Sequence, residues 1–123
     1  MERTKLGFLG KGAKLEPVNP APGIWMMPSF GNTGVIETDG GLVLVDMPIM
    51  VRADRTMSML RSKLDAPVHS IFLTHGHLDH AFALQPLFDE AEKNGDPRPR
   101  VIAQRNLPKR LNKYRTNLRL QNF

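Results

Sequence analysis

"LTHGHLDH", residues 73–80, closes an apolar run and holds three of the chain's four histidines together with an aspartate. His75, His77, Asp79 and His80 fall at the spacing H-x-H-x-D-H. Neutral imidazole and carboxylate are donors that suit Zn²⁺, and also Fe or Mn. In an extended loop, residues two apart project to the same side, so His75 and His77 can share one ion. Asp79 and His80, at the start of the following turn, can point toward a second. Buried together without a metal, these groups would repel on protonation and strand polar atoms, so the cluster reads as metal-binding. Gly76 is expected to let the backbone bend sharply and to keep the approach open. His69, alone on the preceding run, reads as an ordinary satisfied polar group.

The cluster is flanked by alternating strand and helix signals. Upstream, "VHSIFLTH" (68–75) reads as a buried strand by its apolar middle. Before it, Ala53, Met57, Leu60 and Leu64 fall at helical spacing, and Pro67 ends that helix by disfavouring helical geometry just before it. Earlier still, "IWMM" (24–27) is a short strand. Val35–Thr38 and Leu42–Asp46 are β-prone runs joined by Asp39-Gly40-Gly41, a tight-turn sequence. Downstream, Pro86 suits a first helical turn, and Leu84, Leu87, Phe88 and Ala91 make its buried stripe up to Asn94-Gly95. "VIAQ" (101–104) reads as a further strand and 106–119 as a further helix. The order predicts a layered α/β domain with the histidines on a strand-to-helix loop. Residues 1–21, rich in glycine and proline from residue 10, are expected to be an extended lead-in, and 22–123 the domain.

Composition narrows the class. At 41% hydrophobic and 24% charged, the chain is ordinary for a water-soluble globular protein. No run approaches a membrane span, and the N-terminus lacks the apolar segment of a secretory signal, so a cytoplasmic protein is expected. With no cysteine, thiolate metal sites, disulfides and thiol nucleophiles are excluded. The charge is lopsided: Arg98, Arg100, Arg105, Lys109, Arg110, Lys113, Arg115 and Arg119 lie in 97–123 without an acid, while all 12 acidic residues lie earlier. Such an end either binds anions or forms a solvated helix face. As a nucleic-acid surface it is poor in aromatics, with only Tyr114 and Phe123.

"THGHLDH" at a strand end resembles the signature of the metallo-β-lactamase fold superfamily of hydrolases. "GNTGVIETDGGLVLVDMP" (31–48) resembles the superfamily's early hairpin, including the aspartate that ends the strand. The resemblance covers residues 22 to 104 and implies the N-terminal half of a four-layer αββα sandwich, usually with two metals. It implies that His75 and His77 bind the first ion and that Asp79 and His80 bind the second. It makes Asp79 the catalytic residue that orients the attacking water and shuttles a proton. It makes Asp46 a supporting residue, hydrogen-bonded to the metal loop. The implied activity is hydrolysis of a small ester-type substrate by a metal-activated water, with zinc, Fe or Mn.

Two departures from the superfamily pattern stand out. Glycines commonly follow the motif, whereas this chain has Ala81-Phe82-Ala83. The superfamily also uses a further histidine, a bridging carboxylate and a last histidine downstream, and no histidine follows His80 here. The chain is therefore expected to be the first part of a longer protein. "VIAQRNLPKRLNKYR" (101–115) faintly resembles the corresponding region of alkylsulfatase-like members, which would imply an anionic ester. Two readings compete: a nucleic-acid processor or binder using the basic stretch 98–119, and an inactive fragment whose site cannot close.

Overall fold

The computed structural model describes residues 15–121, and for 117–121 only the backbone. Most of the expected lead-in (1–14), the Arg119 side chain and Phe123 lie outside the described residues. Six strands form one sheet in chain order: β1 (Val18–Ala21), β2 (Ile24–Met27), β3 (Thr33–Thr38), β4 (Gly41–Val45), β5 (Val68–Leu73) and β6 (Arg100–Ala103). Four helices accompany them: α1 (Ala53–Arg61), α2 (Leu78–Ala81), α3 (Gln85–Asn94) and α4 (Leu107–Gln121).

Strand direction follows the connections. Short turns join β1 to β4, which pair antiparallel, whereas α1 and α3 carry the chain across to parallel neighbours β5 and β6. In the β3–β4 turn, the Thr38 hydroxyl accepts from the Gly40 amide at 3.2 Å and donates to the Gly41 carbonyl at 2.6 Å. β1 arises within the stretch expected to be a lead-in. It is extended, but it is paired with β2, and the Asn19 amide group bridges the Ala21 and Ile24 carbonyls at 2.8 Å each.

Both crossovers step the sheet in the same direction, so right-handed connections put α1 and α3 on one face. That face buries Met27, Val35, Leu44 and Ile71 against Leu60 and Leu87. Each such aliphatic side chain contributes roughly 1.5–3 kcal/mol by leaving water. Arg61 locks the two helices together. Its Nε donates to both Glu90 carboxylate oxygens at 3.0 and 3.1 Å, and Nη1 donates to the Leu64 and Ala66 carbonyls at 3.0 and 2.7 Å.

The stripe of α1 differs from its expected composition. Thr56 and Met59 are buried, with Ala53, Leu60 and Leu64, while Met57 is half-buried. The 3-10 turn Met50–Arg52 leads into the helix. The inward positions then run 53, 56, 60 and 64, a three–four–four spacing that the longer Met57 side chain masks in the sequence. In α3 the stripe holds at Leu87 and Ala91, while Phe88 is half-buried beneath the Arg98 guanidinium, 3.9 Å from its ring centroid. The helix stops where Gly95 and Asp96 amides return to the Glu92 and Ala91 carbonyls.

The opposite sheet face is apolar as well. Cross-strand pairing aligns Ile24, Ile36 and Val43 in one row, which ends in Ser70 and Arg100, and Met26, Gly34, Val45, Phe72 and Ile102 in the next. Ile24, Ile36 and Phe72 are exposed on it. No helix among the described residues is long and apolar enough to cross a membrane.

Candidate metal site

The site lies where parallel strands β4 and β5 end, the position at which open α/β sheets gather their ligands. β4 delivers Asp46, and β5 delivers Thr74 and His75. The Asp46 amide donates to the Phe72 carbonyl at 2.9 Å, and the Met47 amide to the His80 carbonyl at 3.1 Å. Asp46 adopts φ +61°, a conformation rare for residues other than glycine, asparagine and aspartate. That turn points its carboxylate into the histidine loop rather than along the strand.

The carboxylate organises what surrounds it. Asp46 is 5% exposed. Its Oδ1 accepts the Thr74 amide at 2.7 Å, and Oδ2 accepts the Thr74 hydroxyl at 2.6 Å and faces His80 Nδ1 at 2.8 Å. Since the Thr74 hydroxyl has one hydrogen and gives it to Asp46, its 2.8 Å contact with His75 Nδ1 requires the imidazole to donate. A carboxylate accepts, so His80 Nδ1 carries a hydrogen too. Both rings therefore turn Nε2 away from Asp46. Nε2 of His75 has no hydrogen-bond partner among the described residues, and Nε2 of His80 faces Oδ2 of Asp79 at 3.4 Å.

The three imidazoles share one locus. The His75 ring lies 4.2 Å from His80 and 4.6 Å, edge-on, from His77. Ligand atoms from Asp46, His75 and His80 lie within 4.8 Å of one another. His77 and Asp79 stand outside that tight group, at its rim. The donor set fits a divalent ion: two imidazoles held at Nδ1 with Nε2 turned outward, a third ring against them, and carboxylates at hand. Asp46 already accepts three donors on two oxygens, leaving little acceptor capacity of its own.

Two glycines set the approach of neighbouring segments. At Gly31, φ +79°, a Cβ would run into the carbonyl oxygen of Asp79, so the 28–32 loop lies directly on the motif. The chain bends at His75, next to Gly76, which is itself outside the left-handed region. The missing side chain of Gly76 makes room for α4: a Cβ would meet Arg110 Cγ and Cδ at 3.1 Å. From there Arg110 Nη2 reaches His77 Nε2 at 3.5 Å. The four-residue helix α2, which carries Asp79 and His80, is too short to leave a periodic signal. His69 stays apart, its Nδ1 3.2 Å from the Ser70 hydroxyl.

Thr74 and Arg110 carry no signal of their roles in the sequence. Thr74 sits inside the motif, but its role depends on an aspartate 28 residues earlier. Arg110 was one of eight basic residues without a distinguishing neighbour.

A sequence profile of the metallo-β-lactamase superfamily matches residues 26–105. No curated protein matches the chain. Among solved structures, the stereoselective inverting sec-alkylsulfatase Pisa1 from Pseudomonas sp. is 22% identical with TM-score 0.67, over 80% of this chain and 16% of its own. A B3 metallo-β-lactamase with an active-site glutamic acid is 27% identical with TM-score 0.64, over 80% of this chain and 36% of its own. A metallo-β-lactamase mutant from Cronobacter sakazakii is 23% identical with TM-score 0.63, over 75% and 35%. The chain thus has the metallo-β-lactamase fold and spans about a third or less of these proteins' lengths.

Proposed function

The chain belongs to the metallo-β-lactamase superfamily, and on that premise we propose that it supplies the ligand loop of a metal-dependent hydrolase. The metal is zinc, two ions in the complete site, with Fe or Mn compatible with the same donors. The substrate is a small ester with an anionic group, for which alkyl sulfates are the leading class. When bound, such an ion acts as a Lewis acid on the ester and makes hydroxide available near neutral pH.

The observation that carries this reading is the anchoring of two rings at Nδ1. Asp46 and Thr74 hold Nδ1 of His80 and His75 at 2.8 Å each, so both rings turn Nε2 outward, that of His80 toward the Asp79 carboxylate. Asp46 is the holder of these ligands, with its carboxylate behind them rather than at the open side. Asp79, beside His80 Nε2 at the rim, is placed to orient water and take its proton. His77 completes the set from the side facing α4. The acid-free α4 supports an anionic substrate by its charge. The nucleic-acid reading of this stretch draws no support from Tyr114, which packs edge-on against Phe82 with centroids 6.1 Å apart.

The test, made on the extended protein that carries this chain, pairs metal uptake with turnover of nitrophenyl sulfate, phosphate diester and acetate. Zinc-dependent hydrolysis abolished by a chelator, with Asp79→Ala losing kcat far more than it raises KM, is the expected result. Near-wild-type turnover by Asp79→Ala would remove the role given to that carboxylate. Hydrolysis indifferent to chelation would remove the metal.

A further inference from the structure

We propose that Arg110 is the residue that recognises the substrate's tetrahedral oxyanion, held over the histidines by the gap at Gly76. This rests on the metal-dependent reading above and goes beyond it by naming the contact and its ligand. Three observations converge. The aliphatic part of Arg110 packs on Gly76, which fixes where the side chain starts. Its guanidinium then lies between the Tyr114 ring, 5.9 Å from the centroid, and His77 Nε2 at 3.5 Å. Among the described residues no carboxylate is within ion-pair distance of it.

The contrast with Arg61 is chemical. Arg61 spends its donors on Glu90 and two carbonyls, as a structural arginine does. Arg110 makes one long side-chain hydrogen bond, to an imidazole nitrogen. A guanidinium only donates, so His77 must offer it a lone pair. If His77 takes an ion through Nε2, the ion displaces the guanidinium. If it takes one through Nδ1, Nε2 carries a hydrogen and no longer accepts. Either way a loaded site leaves Arg110 with free, forked donors beside a cation.

A sulfate or phosphate group suits that position, because its oxygens match the planar fork of the guanidinium. Lys109, Lys113 and Asn106 continue the same surface, lining with Arg110 an open hollow of about 290 Å³. Sulfate and phosphate esters share this chemistry, so the inorganic ions serve as probes for both.

Inorganic sulfate and inorganic phosphate are titrated calorimetrically into the zinc-loaded chain and into Arg110→Met and Arg110→Lys. Zinc content and thermal melts are measured on the same samples. Methionine keeps the packing on Gly76 without the charge, and lysine keeps the charge without the fork. The expected result is saturable anion binding weakened about tenfold or more in Arg110→Met and partly kept in Arg110→Lys, with zinc content unchanged. The preferred ion identifies the ester class. Equal anion affinity in Arg110→Met at full zinc content would overturn the inference and leave the hydrolase reading standing. Failure of the unaltered chain to take up zinc would remove both.

Discussion

The histidine loop has two sides held in different ways. His75 and His80 are fixed from behind, through Thr74 and Asp46, by bonds of 2.6 to 2.8 Å. His77 and Asp79 have only looser contacts, 3.5 Å to Arg110 and 3.4 Å to His80. The motif thus divides into a firmly held pair and a loosely held pair. Rigid ligands set affinity for the ion, because their geometry is established before it arrives. Looser groups are those that can follow substrate and proton through a reaction.

The severest way to break the contrast is to remove its anchor. Asp46→Asn keeps the backbone conformation, which asparagine tolerates, but sets amide hydrogens against donors from Thr74 and His80. Zinc affinity is expected to fall roughly 10–100-fold, read by competition with a chromophoric chelator. The metal-free chain should also lose about 1–3 kcal/mol in a denaturant melt, since part-buried donors lose a charged acceptor. Unchanged affinity would mean Asp46 does not orient the ligands.

His77→Ala sharpens the comparison from the other side. It should lower zinc content while leaving the metal-free stability within about 0.5 kcal/mol, as for a side chain with no buried bonds. Full zinc occupancy in that variant would place His77 outside the site. A destabilisation comparable to that of Asp46→Asn would erase the distinction between the two sides.

Thr74→Val removes one link on the rigid side and keeps the shape. Losing a single hydrogen bond of about 1 kcal/mol predicts roughly fivefold weaker zinc binding. The Thr74 backbone amide still reaches Asp46, so the effect should stay below that of Asp46→Asn. Gly76→Ala is the mildest. It presses on the flexible stem of Arg110 at 3.1 Å, so zinc binding should hold while anion binding weakens by a few-fold.

What could be read from the sequence follows how local each signal is. The strand ending at the motif, the turn at Asp39-Gly40-Gly41 and the stop at Asn94-Gly95 are written in adjacent residues. The ligand spacing is equally local. Asp46 was identified through resemblance, since nothing in "LVLVDMP" itself says that the chain will turn its carboxylate toward residues 74 and 80. Thr74 and Arg110 act across 28 and 33 residues, distances at which composition carries no signal. Gly76 shows the same limit. A bend is legible in the residue itself, whereas the space it leaves for Arg110, 34 residues on, is not. Thr56 was passed over because a threonine does not look like a core residue, yet it is 1% exposed.

The central claim is that this loop binds metal through imidazoles held by Asp46 and Thr74. Its most direct test is cobalt(II) titration of the chain, following the visible ligand-field spectrum alongside ions bound per chain after dialysis. The account predicts saturable binding with a nitrogen-and-oxygen ligand spectrum, lost in His75→Ala and in His80→Ala and weakened in Asp46→Asn. Cobalt uptake unchanged in both histidine variants, or no uptake by the unaltered chain, would contradict it.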